Sequence, residues 1–348
     1  MLLIRTIRAF FDFFAGFFIE NKDIIPKSVI TRLEKLQTYD LSDTAKMVEM
    51  ETIMQEMENL WTGDEKLKME NEMENRMDSY VDAHKRDLEK TSIVKIDIES
   101  FKVQDIGIVP GHLLNQFSLD EYKGNLRVAI TIGGRNQFRW QYGIDIEEEN
   151  DVYVLDEKMQ TIGKVTGLGK DEKIYSARFI GERGYLVTFK QVDPFFVLDL
   201  SNPRNPQVTG ELKIPGFSSY LHPISENIIL GIGREGSKVK MSLFDVSDPK
   251  NPTETSKYML DEHWSEIQNT HHAFLQDSKH EIFFMPGNKG GYVFSYTDNE
   301  LKMEKAVSGF RARRAVYLDD YLYIIGDNKI VVLNETDWLR VNELQLSE

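Results

Sequence analysis

Five basic side chains in this sequence have the chemistry to bind a negatively charged ligand: Arg178, His222, His271, His272 and Arg314. Imidazole and guanidinium groups donate hydrogen bonds to carboxylates and phosphates, and several donors converging on one place are typical of a binding site. The alternative is structural, because buried polar groups must be hydrogen-bonded and these side chains can join neighbouring strands. The sequence leaves both interpretations open.

Motifs for catalysis are missing from the sequence. There is no cysteine, which excludes thiol nucleophiles, disulfides and zinc–thiolate sites, and there is no Gly-x-Ser-x-Gly nucleophile motif. The segment 231–236 fits Gly-x-Gly-x-x-Gly, but no helix is predicted after it, so we interpret it as a turn between strands. We therefore predict no catalytic residue, no metal site and no cofactor. The alternative is a hydrolase-like or lyase-like enzyme with a site around His222 and His272.

Charge restricts the class of partner. The 348 residues carry a formal net charge of −15, and such an acidic protein repels the phosphate backbone of nucleic acids. Part of the negative charge lies in the acidic run 147–151. We predict a solvated loop there rather than a calcium site, since the spaced ligands of a calcium loop are missing.

A repeat predicts the architecture that must position these side chains. The segment 195–206, FFVLDLSNPRNP, returns as MSLFDVSDPKNP at 241–252, an offset of 46 residues (245 − 199). A repeat of about 40–50 residues built from short apolar runs is typical of β-propeller blades. Asp199 and Asp245 open equivalent turns, in which an aspartate that accepts hydrogen bonds from its own backbone explains the motif without a metal.

The chain is predicted to be mainly β with an α-helical amino-terminal segment. The pattern predicts helices over residues 1–90, and two strands followed by five four-stranded blades over 91–348. The two extra strands would form a partial blade, and the ring of blades could then stay open. The first strands of the five blades are expected at 115–122, 175–180, 220–225, 271–275 and 314–318. First strands line the central channel of a propeller, and the five basic side chains lie on them or at their ends.

Two further segments are candidates for contact with partners. The stretch 136–150 is predicted to be a long loop on a binding face, and its aromatic residues Phe138, Trp140 and Tyr142 would be exposed there. Residues 1–19 are basic and then apolar, but Asp12 interrupts the apolar run, no cleavage site follows, and the run is too short to span a bilayer. We predict a buried or docking helix, with contact to a membrane surface as the alternative.

Several segments resemble a known family. The sequence is similar to predicted secreted proteins of archaea and some bacilli, which carry a carboxy-terminal β-propeller distantly related to WD-repeats. The helical run that ends at 88–91 resembles a helical insertion of the archaeal members. The matching segments are 110–122, PGHLLNQFSLDEY; 126–129, LRVA; 150–156, NDVYVLD; 174–179, IYSARF; 210–216, GELKIPG; and 220–223, YLHP.

The resemblance implies an extracytoplasmic or cell-surface setting and a chain that corresponds to the carboxy-terminal portion of a longer propeller. It implies no substrate. We expect a non-catalytic module that binds or scaffolds a protein or a small molecule. Another open alternative is a non-autonomous portion of a propeller that an upstream chain completes.

Overall fold

The computed structural model describes residues 7–134, 146–189 and 193–346. Its helices precede its strands along the chain. They are α1 (Ile7–Glu20), α2 (Lys27–Thr38), α3 (Asp43–Glu58) and α4 (Gly63–Leu88). None of the helices in the described ranges has the length and apolar character needed to cross a membrane.

The strands form one two-stranded sheet and five four-stranded sheets, each joined antiparallel in chain order. The two-stranded sheet is β1 (Lys90–Ile96) and β2 (Val103–Pro110). The first two blades are β3 (Leu119–Tyr122), β4 (Asn125–Ile132), β5 (Glu149–Leu155), β6 (Thr161–Leu168), β7 (Lys173–Ile180), β8 (Arg183–Phe189), β9 (Asp193–Asp199) and β10 (Gln207–Ile214). The third is β11 (Phe217–Pro223), β12 (Ile228–Glu235), β13 (Lys238–Asp245) and β14 (Thr253–Leu260). The last two are β15 (Leu275–Asp277), β16 (Ile282–Pro286), β17 (Gly290–Ser295), β18 (Lys302–Ser308), β19 (Ala312–Leu318), β20 (Tyr321–Gly326), β21 (Lys329–Asn334) and β22 (Arg340–Gln345).

The mainly-β prediction with five four-stranded sheets and an additional pair of strands is confirmed. Two predicted first strands differ. His271–Ala273 is a 3₁₀ turn rather than strand, and Thr270 caps it by accepting a hydrogen bond from the His272 amide. Gln116–Ser118 is a second 3₁₀ turn, capped by Asn115. In both places a side chain that bonds its own backbone competes with the sheet.

By its internal contacts the chain divides into two compact units: residues up to 113 together with 121–171, and residues 114–120 together with 172–348. In the first unit, α1 buries its apolar residues against the other three helices. The buried aromatic side chains are Phe11, Phe13, Phe14, Phe17 and Phe18. The apolar side chains of 11–18 therefore pack within this group of helices, as expected for the predicted buried or docking helix. Contact of residues 1–19 with a membrane surface stays a prediction.

The acidic run at 147–151 is only in part a solvated loop, in which Glu147 is exposed. Glu149 and Asp151 are buried on β5, where they form ion pairs with Lys85 and Arg86 of α4. Burial alone would raise the pKa of Glu149, but the hydrogen bond from Lys85 and the charge of Arg86 lower it below its usual value. Buried carboxylates need such partners, so the run joins a helix to a sheet.

In the second unit, neighbouring blades bury both faces of each sheet between them. Ile229 of β12 belongs to a buried cluster that includes Phe195 of the preceding blade, whereas its neighbour Leu230 belongs to a cluster that includes Phe283 of the following blade. Successive residues of a strand point to opposite faces. Each strand in the middle of a blade therefore contributes to two interfaces, as expected for stacked propeller blades.

Candidate functional site

A cleft in the second unit is lined by one predicted site residue, His271, and a second, Arg178, contacts its walls. It has a volume of about 200 Å³. Its walls come from the 3₁₀ turn at Gln116–Ser118, the first strands β7 and β11, and the segment that ends at His271. Asn115, Gln116, Phe117, Ser176, Tyr220 and His271 line it.

Short capped turns position the cleft's polar and aromatic walls. The Asn115 carboxamide oxygen accepts a hydrogen bond from the Phe117 amide at 2.9 Å, which fixes the 3₁₀ turn that carries Gln116 and Phe117. The Gln116 Nε2 atom then lies 3.2 Å from His271 Nε2. The Phe117 ring packs edge-on against the His271 ring with 5.0 Å between their centroids.

Arg178 lies beside this cleft and has no carboxylate partner among the described residues. Its guanidinium lies over the face of Phe117, 4.0 Å from the ring centroid, and its Nε donates to the Leu221 carbonyl at 3.0 Å. The guanidinium also lies 5.7 Å from the centroid of the Tyr220 ring, and burial lowers the pKa of Arg178. A partly buried cation is normally balanced by an anion, so this place favours a negatively charged group.

His222 joins two blades. Its Nδ1 lies 3.0 Å from the Tyr220 hydroxyl, and its Nε2 lies 2.8 Å from the Gln276 carboxamide oxygen. Gln276 Nε2 in turn donates to the Tyr296 hydroxyl at 2.9 Å. Burial lowers the pKa of His222, which agrees with a neutral ring that donates on one side and accepts on the other. For His222 the structure favours the structural interpretation.

The remaining predicted residues do not come together in one site. The His271 ring lies against the His272 ring, tilted by 38° with 3.9 Å between the centroids. Burial together with the positive charges of His272 and Arg178 lowers the pKa of His271. His272 is exposed, and Arg314 is exposed on β19 opposite Ile325 of β20. Three aromatic residues predicted to form a loop binding face lie outside the described residues. They are Phe138, Trp140 and Tyr142.

The aspartate turns at Asp199 and Asp245 and the glycine segment 231–236, which the sequence predicts to be structural, have structural roles in the fold. The Asp199 and Asp245 carboxylates accept hydrogen bonds from the amides of Ser201 and Ser247 at 2.9 and 2.8 Å, so the capped-turn interpretation is confirmed. In segment 231–236 a Cβ on Gly233 would lie 1.7 Å from the Phe217 carbonyl oxygen. That glycine is required by close strand packing, and the segment is a strand followed by a turn.

The sequence analysis missed the aromatic walls of the cleft, Phe117 and Tyr220. A signal for them was present: the segments 110–122, 174–179 and 220–223, which carry the family resemblance, all contribute residues to this one place. Three stretches that are far apart in sequence therefore converge on the cleft and on Arg178.

Comparison with known proteins places the chain in a family. An uncharacterized protein of Archaeoglobus fulgidus is 51% identical over 330 residues, which cover 95% of this chain and 51% of that protein. An uncharacterized protein of Methanocaldococcus jannaschii is 40% identical over 324 residues, covering 92% of this chain and 51% of that protein. The chain thus spans about half the length of the curated relatives it matches.

Solved structures with a similar fold include apo AztD from Citrobacter koseri, with a TM-score of 0.47 and 15% identity over 70% of this chain and 63% of that one. BamB from Moraxella catarrhalis has a TM-score of 0.44 and 11% identity, covering 70% of this chain and 68% of that one. The model of the β-propeller domain family matches residues 20–338. Together with the five antiparallel four-stranded sheets, this match shows that the chain belongs to the β-propeller domain family.

Proposed function

We propose that this chain is a non-catalytic binding module that acts outside the cytoplasm and takes a small anionic ligand in the cleft beside Arg178. The observation that carries the proposal is the partly buried guanidinium, which no described carboxylate balances. The extracytoplasmic setting rests on the family resemblance alone.

The cleft's size and chemistry narrow the ligand. About 200 Å³ is below the range of roughly 300–1,000 Å³ that holds drug-sized ligands, so a small organic acid fits better than a peptide. Asn115, Gln116 and Ser176 supply amide and hydroxyl groups for its polar part, and Phe117 with Tyr220 provides flat apolar walls. Within the described residues, the side chains that His222 bonds, Tyr220 and Gln276, are neutral, which supports binding over the enzyme alternative centred on His222.

The experiment is a thermal-shift screen with acetate, succinate, citrate, a uronic acid and inorganic phosphate, followed by calorimetry on any hit. Arg178→Gln should abolish binding of the hit because it removes the charge and keeps hydrogen-bonding capacity. Arg314→Gln is the matched control, since Arg314 is an exposed arginine on the first strand of another blade. Equal binding by the Arg178→Gln variant and the wild type would refute the proposal, and so would the absence of any hit.

A specific observation also favours a second candidate function, a propeller portion that further blades complete. In the two-stranded sheet, Val94, Ile96, Ile106 and Ile108 lie on one face and are between 37% and 57% exposed. Val94 pairs directly with Ile106. Sheets of this kind are normally covered, because exposed contiguous apolar surface favours association.

The last blade shows the same feature in the second unit. Val316, Leu318, Tyr321 and Leu344 are exposed, and Leu318 pairs with Tyr321 across two strands. We propose that further blades of the same kind cover these exposed apolar faces, because the curated relatives are about twice as long as this chain.

Light scattering on the purified chain tests this candidate. We expect concentration-dependent self-association and binding of a hydrophobic dye, both reduced by Ile96→Lys with Leu318→Lys. Val48→Lys is the control, because Val48 is exposed on a helix rather than on a sheet face. A strictly monomeric wild type without dye binding would contradict the candidate.

A further inference from the structure

A second cluster of side chains lies in the second unit, at the turns of the last two blades. Asp277 ends β15, His280 lies in the turn that follows, and Glu335 comes directly after β21 of the next blade. One potential ligand atom from each residue lies within 4.8 Å of the other two. The His280 Nδ1 atom is 2.6 Å from Asp277 Oδ2 and 3.8 Å from Glu335 Oε2.

Glu335 is the unusual member of this cluster. Its side chain is 0% exposed, and among the described residues neither carboxylate oxygen has a hydrogen-bond partner. Burial, reinforced by the negative charge of Asp277, raises the pKa of Glu335 to about 7. A buried carboxylate without partners is costly, and native proteins keep such groups where a ligand or an ion satisfies them.

Surrounding contacts hold the other two side chains in place. The Asp277 Oδ1 atom accepts a hydrogen bond from the Lys279 amide at 2.8 Å, which leaves Oδ2 directed at His280. The Nε2 atom of His280 lies 3.3 Å from Asp320 Oδ1. A carboxylate on the far nitrogen of an imidazole is the arrangement that orients metal-binding histidines.

We propose that Asp277, His280 and Glu335 bind a divalent transition-metal ion. One imidazole nitrogen and two carboxylate oxygens suit zinc, manganese or ferrous ions better than calcium or magnesium, which prefer oxygen ligands alone. The ion would take the Nδ1 position of His280, whose ring hydrogen would then lie on Nε2 toward Asp320, and it would displace the proton that Glu335 carries below its raised pKa, so binding at that pH releases a proton. It would give both Glu335 oxygens a counter-charge and would link the last two blades.

The test uses the full chain after dialysis against a chelator, with zinc chloride and manganese chloride as the probes. Calorimetry should show one ion per chain, and in two buffers of different ionisation enthalpy at pH 6.5 it should show proton release. Glu335→Gln should abolish binding, because the amide keeps the volume and loses the charge. Asp320→Asn should weaken binding by about 10- to 100-fold, as loss of an orienting partner does.

Asp337→Asn is the matched control, since Asp337 is an exposed carboxylate two residues from Glu335, and it should bind as the wild type does. If Glu335→Gln does not fold, Asp277→Asn replaces it. The proposal is overturned if neither ion binds the wild type stoichiometrically, or if a folded Glu335→Gln variant binds with wild-type affinity. The cleft beside Arg178 shares no residue with this cluster. A negative anion screen therefore leaves the metal proposal intact, and a negative metal titration leaves the proposed anion site intact.

Discussion

Replacing Arg86 by methionine should destabilise the first unit strongly. Arg86 of α4 donates to Asp151 of β5 through Nε at 2.9 Å and through Nη2 at 3.0 Å, and it also bonds Glu149. The side chains of Arg86 and Asp151 are 29% and 0% exposed. Methionine preserves most of the apolar stem and removes the charge, so the perturbation isolates the ion pair.

The magnitude follows from what the substitution leaves behind. Removing one partner of a buried ion pair costs about 3–5 kcal/mol, since the other charge stays buried without compensation. Asp151 keeps the Tyr153 hydroxyl and the Gly167 amide, each at 3.0 Å, and Glu149 keeps Lys85. These residual partners favour the lower end, about 3 kcal/mol.

The same helix supplies a matched control. Arg76 pairs with Asp23 at 2.8 Å, but that pair lies at the surface, where ion pairs contribute little. Urea unfolding followed by far-UV circular dichroism should show the Arg86→Met midpoint falling by about 1–3 M at usual denaturant slopes. The Arg76→Met midpoint should stay within error of the wild type.

Equal midpoints for the two variants would refute the reasoning, because Asp151 is 0% exposed and Asp23 is 61% exposed, and only a buried carboxylate should make loss of its arginine costly. A double variant, Arg86→Met with Asp151→Asn, separates charge from packing. It should recover part of the lost stability, since the buried carboxylate is then neutral. If the two substitutions instead lower the free energy of unfolding additively, so that the double variant is less stable than Arg86→Met by the whole effect of Asp151→Asn alone, the two residues are not coupled.

Further outcomes follow from the second unit and from pH. Phe244 is fully buried and stacked on Phe195 with 4.6 Å between the ring centroids, so Phe244→Ala should lower the free energy of unfolding by about 3–5 kcal/mol. Phe101 is 83% exposed, and Phe101→Ala should lower it by almost nothing. Urea midpoints of the two variants test this difference. His222→Ala should cost about 1–3 kcal/mol because the Gln276 carboxamide oxygen loses its hydrogen-bond partner, and His272→Ala should leave stability unchanged, as thermal unfolding can show. The pKa of Glu149 is lowered in the folded chain, so its contribution is present above the unfolded value of 4.5 and is lost as pH falls further; acid titration of the urea midpoint should show less loss in Glu149→Gln. The pKa of Glu335 is instead raised to about 7, so without metal the chain should lose stability as pH rises from about 4.5 through 7, and Glu335→Gln should remove this loss.

The strand order, the five blades and the capped turns could be predicted from the sequence because they depend on local patterns. Alternating apolar residues fix a strand, and an aspartate such as Asp199 caps its own turn through contacts two residues away. The repeat then implies stacking, because a single sheet with two apolar faces is not stable alone. The same locality explains one error: Thr270 caps a 3₁₀ turn at His271, and a single hydroxyl outweighed a weak strand pattern.

Only the tertiary structure decided which side chains meet. Arg178 reaches Phe117 across 61 residues (178 − 117), and Glu335 approaches His280 across 55 (335 − 280). The register between blades sets both contacts, and blade register depends on packing throughout the unit rather than on any local motif. For the same reason, the sequence identified a set of basic side chains without showing that Arg178 lies beside a cleft while Arg314 lies exposed on another blade. A buried carboxylate without hydrogen-bond partners among the described residues, such as Glu335, is defined by everything packed around it, so its position beside Asp277 and His280 became visible only in the folded blades.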